Sequence, residues 1–311
     1  MGPDARAARR IVSLLPSATE IVCALGLGDR LVGVSHSCDH PAEVTAKPRL
    51  SRPRFAVNGL SGAEIDAEVR RALREHGSVY AIDVDRLAGL EPDLVLTQGI
   101  CDVCAVPERQ AVGALAGLRP GPAVLALDAH DVSAILAGIR AVGRATAADA
   151  RADACVADIE DRVNAVRVRV AGRPRPRVLA LEWLDPPYVP GHWVPELVAL
   201  AGGDLVAGVA GRPSYRVGWD ELRRADPDVL LLMPCGFGLD ETRREAARYR
   251  SLLQAVAGRA IASGRAYVLE ASAYFSRSGP RVVEGLEILA ALIHPDLFRD
   301  VPLSGRAAHW Y

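Results

Sequence analysis

One stretch of this chain occurs twice. Residues 90–97, Leu-Glu-Pro-Asp-Leu-Val-Leu-Thr, are echoed by residues 225–232, Ala-Asp-Pro-Asp-Val-Leu-Leu-Leu. Each copy follows a short helical segment and runs into a loop that carries cysteine. A repeat of this kind in 311 residues implies two related units of about 130–150 residues, each large enough to bury its own core.

The segments around each copy follow one grammar. In the first half, residues 10–15 read as a strand, 16–25 as a helix opened by Pro16-Ser17, and 31–35 as a second strand. An extended run at 79–82, a helical turn at 85–90, a buried strand at 93–98 and a further strand at 124–127 complete the series. Residues 132–170 lack proline and space their apolar residues three and four apart, which predicts one long helix with a candidate break near Gly143. In the second half, strands are expected at 177–181, 228–233 and 266–270, with helices at 193–201 and 219–225. The fold class expected is α/β, with two Rossmann-like lobes built on parallel sheets and joined by a long connecting helix. The domains expected are an N-terminal lobe over 1–130, the connecting helix over 131–171 and a C-terminal lobe over 172–311.

In open parallel sheets, ligands bind beyond the carboxyl ends of the strands, because helices cover the sheet faces. The loops at those ends concentrate unusual residues: His36, Ser37, Cys38 and His40 in one; Cys101 and Cys104 in another; Cys235 and Phe237 in a third; Tyr274, Phe275 and Arg277 in a fourth. Four of the six cysteines therefore fall where ligands bind, whereas Cys23 and Cys155 lie inside helices and read as core. Four thiolates would complete a zinc or iron-sulfur shell, although free cysteine is also an ordinary buried residue. The Pro-rich stretch after the first strand of the second half holds Trp183, Tyr188, His192 and Trp193, and Tyr215 follows further on. Such aromatic area suits a large planar ligand, and it suits the packing of an irregular loop equally well.

Charge is balanced at a formal −1 and aromatics make up 5%, which gives no sign of a nucleic-acid partner. No run of about eighteen uncharged apolar residues points to membrane insertion, and no export signal is visible near Met1. The expected setting is therefore the cytoplasm, or the periplasm or cell surface if the start is truncated. No acid/base pair fixed by spacing and no phosphate-cradling glycine loop argue for catalysis.

The opening Arg10-Ile-Val-Ser-Leu-Leu-Pro-Ser-Ala-Thr-Glu, then Leu31-Val-Gly-Val-Ser with Asp39-His-Pro, Leu90-Glu-Pro-Asp-Leu-Val and Phe275-Ser-Arg-Ser-Gly-Pro-Arg resemble the cobalamin-binding branch of the helical-backbone, class III substrate-binding proteins. This family serves ABC importers of cobalamin, siderophores and haem, and the resemblance runs from about residue 10 to 298. It implies a non-enzymatic binding protein that holds cobalamin, or a related corrinoid or metal chelate, in an inter-lobe cleft. His36, Ser37, Trp183, Tyr188, His192, Trp193, Tyr215, Phe237, Tyr274 and Arg277 are the expected ligand contacts. It also implies an acidic residue on each lobe that docks on a membrane permease, at Asp85 and Asp220, either of which could instead cap its helix. The cysteine set departs from the exported cobalamin binder. The alternative is a metal or iron-sulfur protein that uses Cys38, Cys101, Cys104 and Cys235 as ligands.

Overall fold

The computed structural model describes residues 7–57, 59–99, 105–117 and 121–311. Two compact units divide the chain, the first drawn from Met1–Gly59, Ala67–Ala129 and Ser133–Asp158, the second from Leu60–Asp66, His130–Val132 and Ile159–Tyr311.

The first unit opens with β1 (Ile11–Ser13), α1 (Pro16–Ala24), β2 (Leu31–Val34) and β3 (Ser51–Pro53). Then come α2 (Gly62–His76), whose first turn belongs to the second unit, β4 (Tyr80–Ile82), α3 (Val84–Gly89), β5 (Leu94–Gln98), α4 (Glu108–Leu115) and β6 (Ala123–Leu127). Strands β2-β1-β5-β6 form one parallel sheet in that order. Val12, Leu14 and Val95 of this sheet region pack with Leu50, Leu87 and Leu115. The run at 79–82 does form a strand, but it stands outside the parallel sheet. It pairs antiparallel with β3, whose Pro53 has no amide hydrogen to offer a wider ladder.

Residues 132–170 are two helices rather than one: α5 (Val132–Thr146) and α6 (Asp149–Val170). The break falls after Gly143, at Ala147, which adopts φ +52°. There the Ala148 amide bonds back to Gly143 O at 2.8 Å, the Ala147 amide to Arg144 O at 3.4 Å, and the Thr146 hydroxyl to Val142 O at 2.7 Å. These bonds satisfy the last carbonyls of α5 without a glycine at the left-handed position. Gly143 has a different task, since a Cβ there would lie 2.5 Å from the Ala152 methyl of α6.

The second unit continues through β7 (Arg177–Leu181), β8 (Trp183–Leu184), β9 (Pro187–Val189), α7 (Val194–Leu200), β10 (Asp204–Leu205), β11 (Tyr215–Arg216) and α8 (Trp219–Leu222). It closes with β12 (Val229–Leu232), α9 (Leu239–Arg248), α10 (Arg250–Ala262), β13 (Ala266–Leu269), α11 (Ala271–Tyr274), α12 (Val282–Ile293) and β14 (Ala307–His309). Its main sheet runs β10-β7-β12-β13-β14, parallel except for the edge strand β14. Leu179, Leu181, Leu230, Leu232 and Val268 pack with Leu253 and Val256 of α10, as expected of parallel strands covered by helices. A small antiparallel sheet, β11-β9-β8, follows directly on β7. Among the described residues no helix is long and apolar enough to cross a membrane.

The repeated sequence is a repeated device. Glu91 and Asp226, each before a proline, both take positive φ, +42° and +36°. In the first unit Asp93 accepts the amides of Arg9 and Arg10 at 2.8 and 3.0 Å, and the Arg10 guanidinium donates to Leu90 O and Glu91 O. In the second, Asp228 accepts the Arg177 amide at 2.8 Å, and the Arg177 guanidinium donates to Ala225 O and Asp226 O. Each sheet thus fixes the entry of its first strand with an arginine–aspartate pair, to which the second unit adds Arg259, bonded to Asp228 and to Asp226 O. Hydrogen bonds to an ionised acceptor are worth about 1.5–3 kcal/mol, so Asp93→Ala and Asp228→Ala should each lower the unfolding free energy by about 1.5 kcal/mol or more in denaturant titration.

Candidate functional site

Both main sheets share one strand order, and in each the direction of winding reverses between the first strand and the third: β1 and β5 in the first unit, β7 and β12 in the second. Ligands of open α/β sheets bind at such a reversal, beyond the carboxyl ends of the two strands. In the second unit the chain passes from β7 through Glu182 to Trp183 of β8, and the loop after β12 begins at Met233 and carries Pro234-Cys235-Gly236-Phe237. The Trp183 and Phe237 rings meet edge to face there, with centroids 5.1 Å apart at 64°. The indole N–H of Trp183 donates to Gly62 O at 3.2 Å and Asp185 O at 3.1 Å, which fixes the ring. The Phe237 carbonyl accepts the Ser272 amide at 3.0 Å, and the Gly236 amide donates to Ser276 Oγ at 3.1 Å, so the loop after β13 holds the loop after β12.

Trp183 and Tyr188 face each other across β8 and β9, and Arg216 faces Tyr188 across β11. Directly opposed residues share a face of a sheet, so these three side chains form one row. Tyr215, one residue before Arg216, points to the opposite face and is 39% exposed. The structure therefore separates Tyr215 from Trp183 and Tyr188, and Arg216 takes the place expected for it. His192 holds φ +51° in a turn in which its amide donates to Arg212 O at 2.6 Å and its carbonyl accepts the Gly211 amide at 2.9 Å. Its ring lies 5.6 Å from that of His130. Trp193 is buried at the start of α7, so most of its area is spent on packing.

Beyond β13, the Tyr274 ring is approached by the guanidinium groups of Arg281 and Arg306 at 5.5 and 5.3 Å, and Arg306 pairs with Glu284 at 3.0 Å. Arg277 is buried and donates to Ser272 Oγ at 3.4 Å. Glu270, partly buried, accepts the Leu239 amide at 3.1 Å, and burial pushes its carboxyl up.

In the first unit the loop after β2 is pinned by Arg49, whose guanidinium donates to Ser35 O at 2.8 Å and Cys38 O at 2.5 Å. The His36 ring packs 5.0 Å from Tyr80, and its Nδ1 lies 2.9 Å from Ser51 Oγ. Burial, then the Arg49 charge, lowers the pKa of His36 and favours neutral imidazole. Ser37 is half-buried, with Oγ 3.3 Å from that of Ser35.

The cysteine reading gains nothing from this geometry. The Cys38 thiol is fully buried, within 3.0 Å of Thr19 Oγ1 and 3.1 Å of Ser35 Oγ, and burial raises its pKa despite those hydroxyl contacts, which disfavours a thiolate ligand. Cys235 is exposed in the second unit, while Cys101 and Cys104 lie outside the described residues. Among the described residues no group of three His, Cys, Asp or Glu side chains is placed to hold a metal ion. Cys23 and Cys155 are half-buried on their helices, and burial pushes the Cys23 thiol up to about 11. Asp85 and Asp220 are exposed in the first turns of α3 and α8 and cap neither helix. Asp83 is the N-cap of α3, accepting the Arg86 amide, and Gly218 precedes α8.

Two such sheets, each with a winding reversal, are built to hold a ligand beyond the carboxyl ends of their strands. The chain belongs to the periplasmic binding protein family, whose model matches residues 11–271. It is 25% identical over 301 residues, 94% of this chain and 82% of the relative, to an uncharacterized ABC transporter substrate-binding lipoprotein of Bacillus subtilis. It is 27% identical to the vitamin B12-binding protein of Yersinia pestis, covering 73% of this chain and 70% of that one. Two solved structures share the fold. The periplasmic vitamin B12 binding protein of Vibrio cholerae matches with TM-score 0.68 at 20% identity, covering 92% and 96% of the two chains. A periplasmic heme binding protein of Pseudomonas aeruginosa matches with TM-score 0.71 at 21% identity, covering 93% and 94%. The α/β fold with parallel sheets expected from the sequence is borne out.

Proposed function

We propose that this protein is the substrate-binding component of an ABC importer and that it takes up cobalamin or a closely related corrinoid. The observation that carries this reading is the Trp183–Phe237 corner at the winding reversal of the second sheet. Two aromatic faces fixed by backbone hydrogen bonds offer rigid apolar area at little entropic cost, which suits a broad, flat macrocycle. The vitamin B12-binding relatives support the choice of corrinoid, and the heme-binding neighbour makes haem the natural competitor. Tyr188, Arg216, Tyr274 and Arg277 are the next contacts we assign in the second unit. The periplasmic and lipoprotein relatives support a setting outside the cytoplasm, against the expectation from the sequence.

Asp85 and Asp220 fit permease docking. Both are exposed, and both sit six positions before the positive-φ residue of their copy of the repeat, Glu91 or Asp226, so the duplication carries them to equivalent places.

The test is titration with cyanocobalamin and with hemin, followed by tryptophan quenching and calorimetry. Burying an indole against a ligand is worth about 1.5–3 kcal/mol, so Trp183→Ala should weaken cyanocobalamin binding by about tenfold to a hundredfold. Binding of hemin alone would replace corrinoid by haem, and binding of neither would remove the tetrapyrrole reading.

A further inference from the structure

The indole N–H of Trp183 has two acceptors, Gly62 O and Asp185 O, and helix α9 reaches both of the residues that supply them. The Glu245 carboxylate accepts the Gly62 amide at 2.9 Å, and the Tyr249 hydroxyl donates to Asp185 Oδ2 at 3.0 Å. Glu245 and Tyr249 stand four positions apart at the end of α9, which puts them on one face. All five residues belong to the second unit. Glu245 is only 5% exposed, and its other oxygen lies 3.5 Å from the Arg248 guanidinium. A carboxylate taken out of water needs such partners, and here the closer of them is the residue that holds the indole. The fit is tight: a Cβ on Gly62 would lie 2.6 Å from Glu245 Oε1 and 3.2 Å from Trp183 Nε1, so only bare backbone fits between carboxylate and indole. The second ring of the corner is tied to the same helix at its other end, since Phe237 stands two residues before Leu239.

From this we infer that Glu245 and Tyr249 are positioning residues of the ligand site: α9 braces Trp183 through the two backbone carbonyls that accept its indole N–H, and so sets the angle of the aromatic corner. A ring held in this way is pre-organised, so less rotamer entropy is lost when a ligand arrives. Without either brace, Gly62 or Asp185 can shift and one acceptor leaves the indole; the ring keeps its area and loses its fixed orientation. The inference rests on the ligand reading above for its affinity readout only. Glu245→Gln keeps an oxygen for the Gly62 amide, and Glu245→Ala keeps none. Tyr249→Phe removes the hydroxyl alone and leaves a ring to stack on Trp219.

The experiment compares wild type, Glu245→Ala, Glu245→Gln and Tyr249→Phe, and repeats the set in a Trp183→Phe background. It reads two quantities: the NMR resonance of the Trp183 indole N–H and its exchange with water in the protein without ligand, and cyanocobalamin affinity. Glu245→Ala and Tyr249→Phe should each shift the Trp183 resonance and speed its exchange while the Trp193 and Trp310 resonances stay in place, which shows the fold intact. Each should weaken cyanocobalamin binding by about fivefold, within the range of coupling between residues in contact, and Glu245→Gln should keep both quantities near wild type. Phenylalanine has no N–H for the braces to hold, so in the Trp183→Phe background the same substitutions should change affinity by less than about twofold. A Trp183 resonance that neither Glu245→Ala nor Tyr249→Phe moves, or affinity losses of equal size in the two backgrounds, would overturn the proposal. If cyanocobalamin does not bind wild type, the ligand reading falls and the indole resonance alone decides the brace.

Discussion

Gly191→Val is expected to cost about 3 kcal/mol or more in stability and to lower the melting midpoint of the second unit by roughly 10 °C. The reason is local and steric. A Cβ on residue 191 would lie 2.1 Å from Arg212 O, 2.4 Å from Ser214 N and 2.5 Å from the Pro213 carbonyl carbon. All three are backbone atoms, so no change of rotamer relieves the clash, and the 211–217 segment must move as a whole. The same movement breaks the hydrogen bond from the Gly191 amide to Ser214 Oγ. Gly89→Ala is the control: nothing lies within 4 Å of its Cβ position, and it ends helix α3. Alanine there should be neutral or stabilising by about 0.5–1 kcal/mol. Calorimetry of both variants checks the contrast, and a Gly191→Val protein that melts like wild type would show that the two loops are not held in this contact.

The second large effect is a dependence of stability on pH that disappears in Glu182→Gln. The Glu182 carboxyl ionises near 7 in the folded protein against an ordinary 4.5. Between those values the folded state keeps a proton that the unfolded chain has released. The contribution of Glu182 therefore favours folding at pH 4.5 and is lost as the pH rises to 7, by up to about 3 kcal/mol. His36 and His294, whose pKa values burial lowers, act in the opposite sense, because the unfolded chain binds their protons more readily. The informative quantity is therefore the difference between Glu182→Gln and wild type. The variant should gain stability relative to wild type across pH 4.5 to 7 and hold that gain at pH 8, in denaturant titrations at matched ionic strength. A constant difference over the whole range would place the carboxyl in water.

Strands such as β1, β5, β7 and β12 were legible in the sequence because short apolar runs bounded by proline, glycine or charge have few alternatives. The same signal failed for α12, whose residues are buried nearly all round and so show no polar stripe. It failed for α2, where a mostly polar run forms a helix. The end of α5 was illegible because alanine, not glycine, takes the left-handed position, while Gly143, the residue that looked like a break, serves close packing against α6. For the site, the rule about strand carboxyl ends drew attention to Trp183, two residues beyond β7, and to Phe237, five beyond β12. It misplaced Tyr215, because which face a two-residue strand presents depends on its partner's register. It gave no signal of the Glu182–Ser214 hydrogen bond, which joins a pair separated by 32 positions with no local pattern.

The paired arginine–aspartate locks carry a consequence for how this chain can be cut and rebuilt. Each sheet sets its first strand with residues from its own half: Arg10 with Asp93, Arg177 with Asp228. Neither lock borrows a side chain from the other half, so the entry to each sheet is encoded entirely within one copy of the ancestral segment. A fragment spanning residues 159–311 therefore contains every group that starts its own sheet, whereas a transplant of the aromatic corner must also carry residues 60–66, because Gly62 O accepts the Trp183 indole.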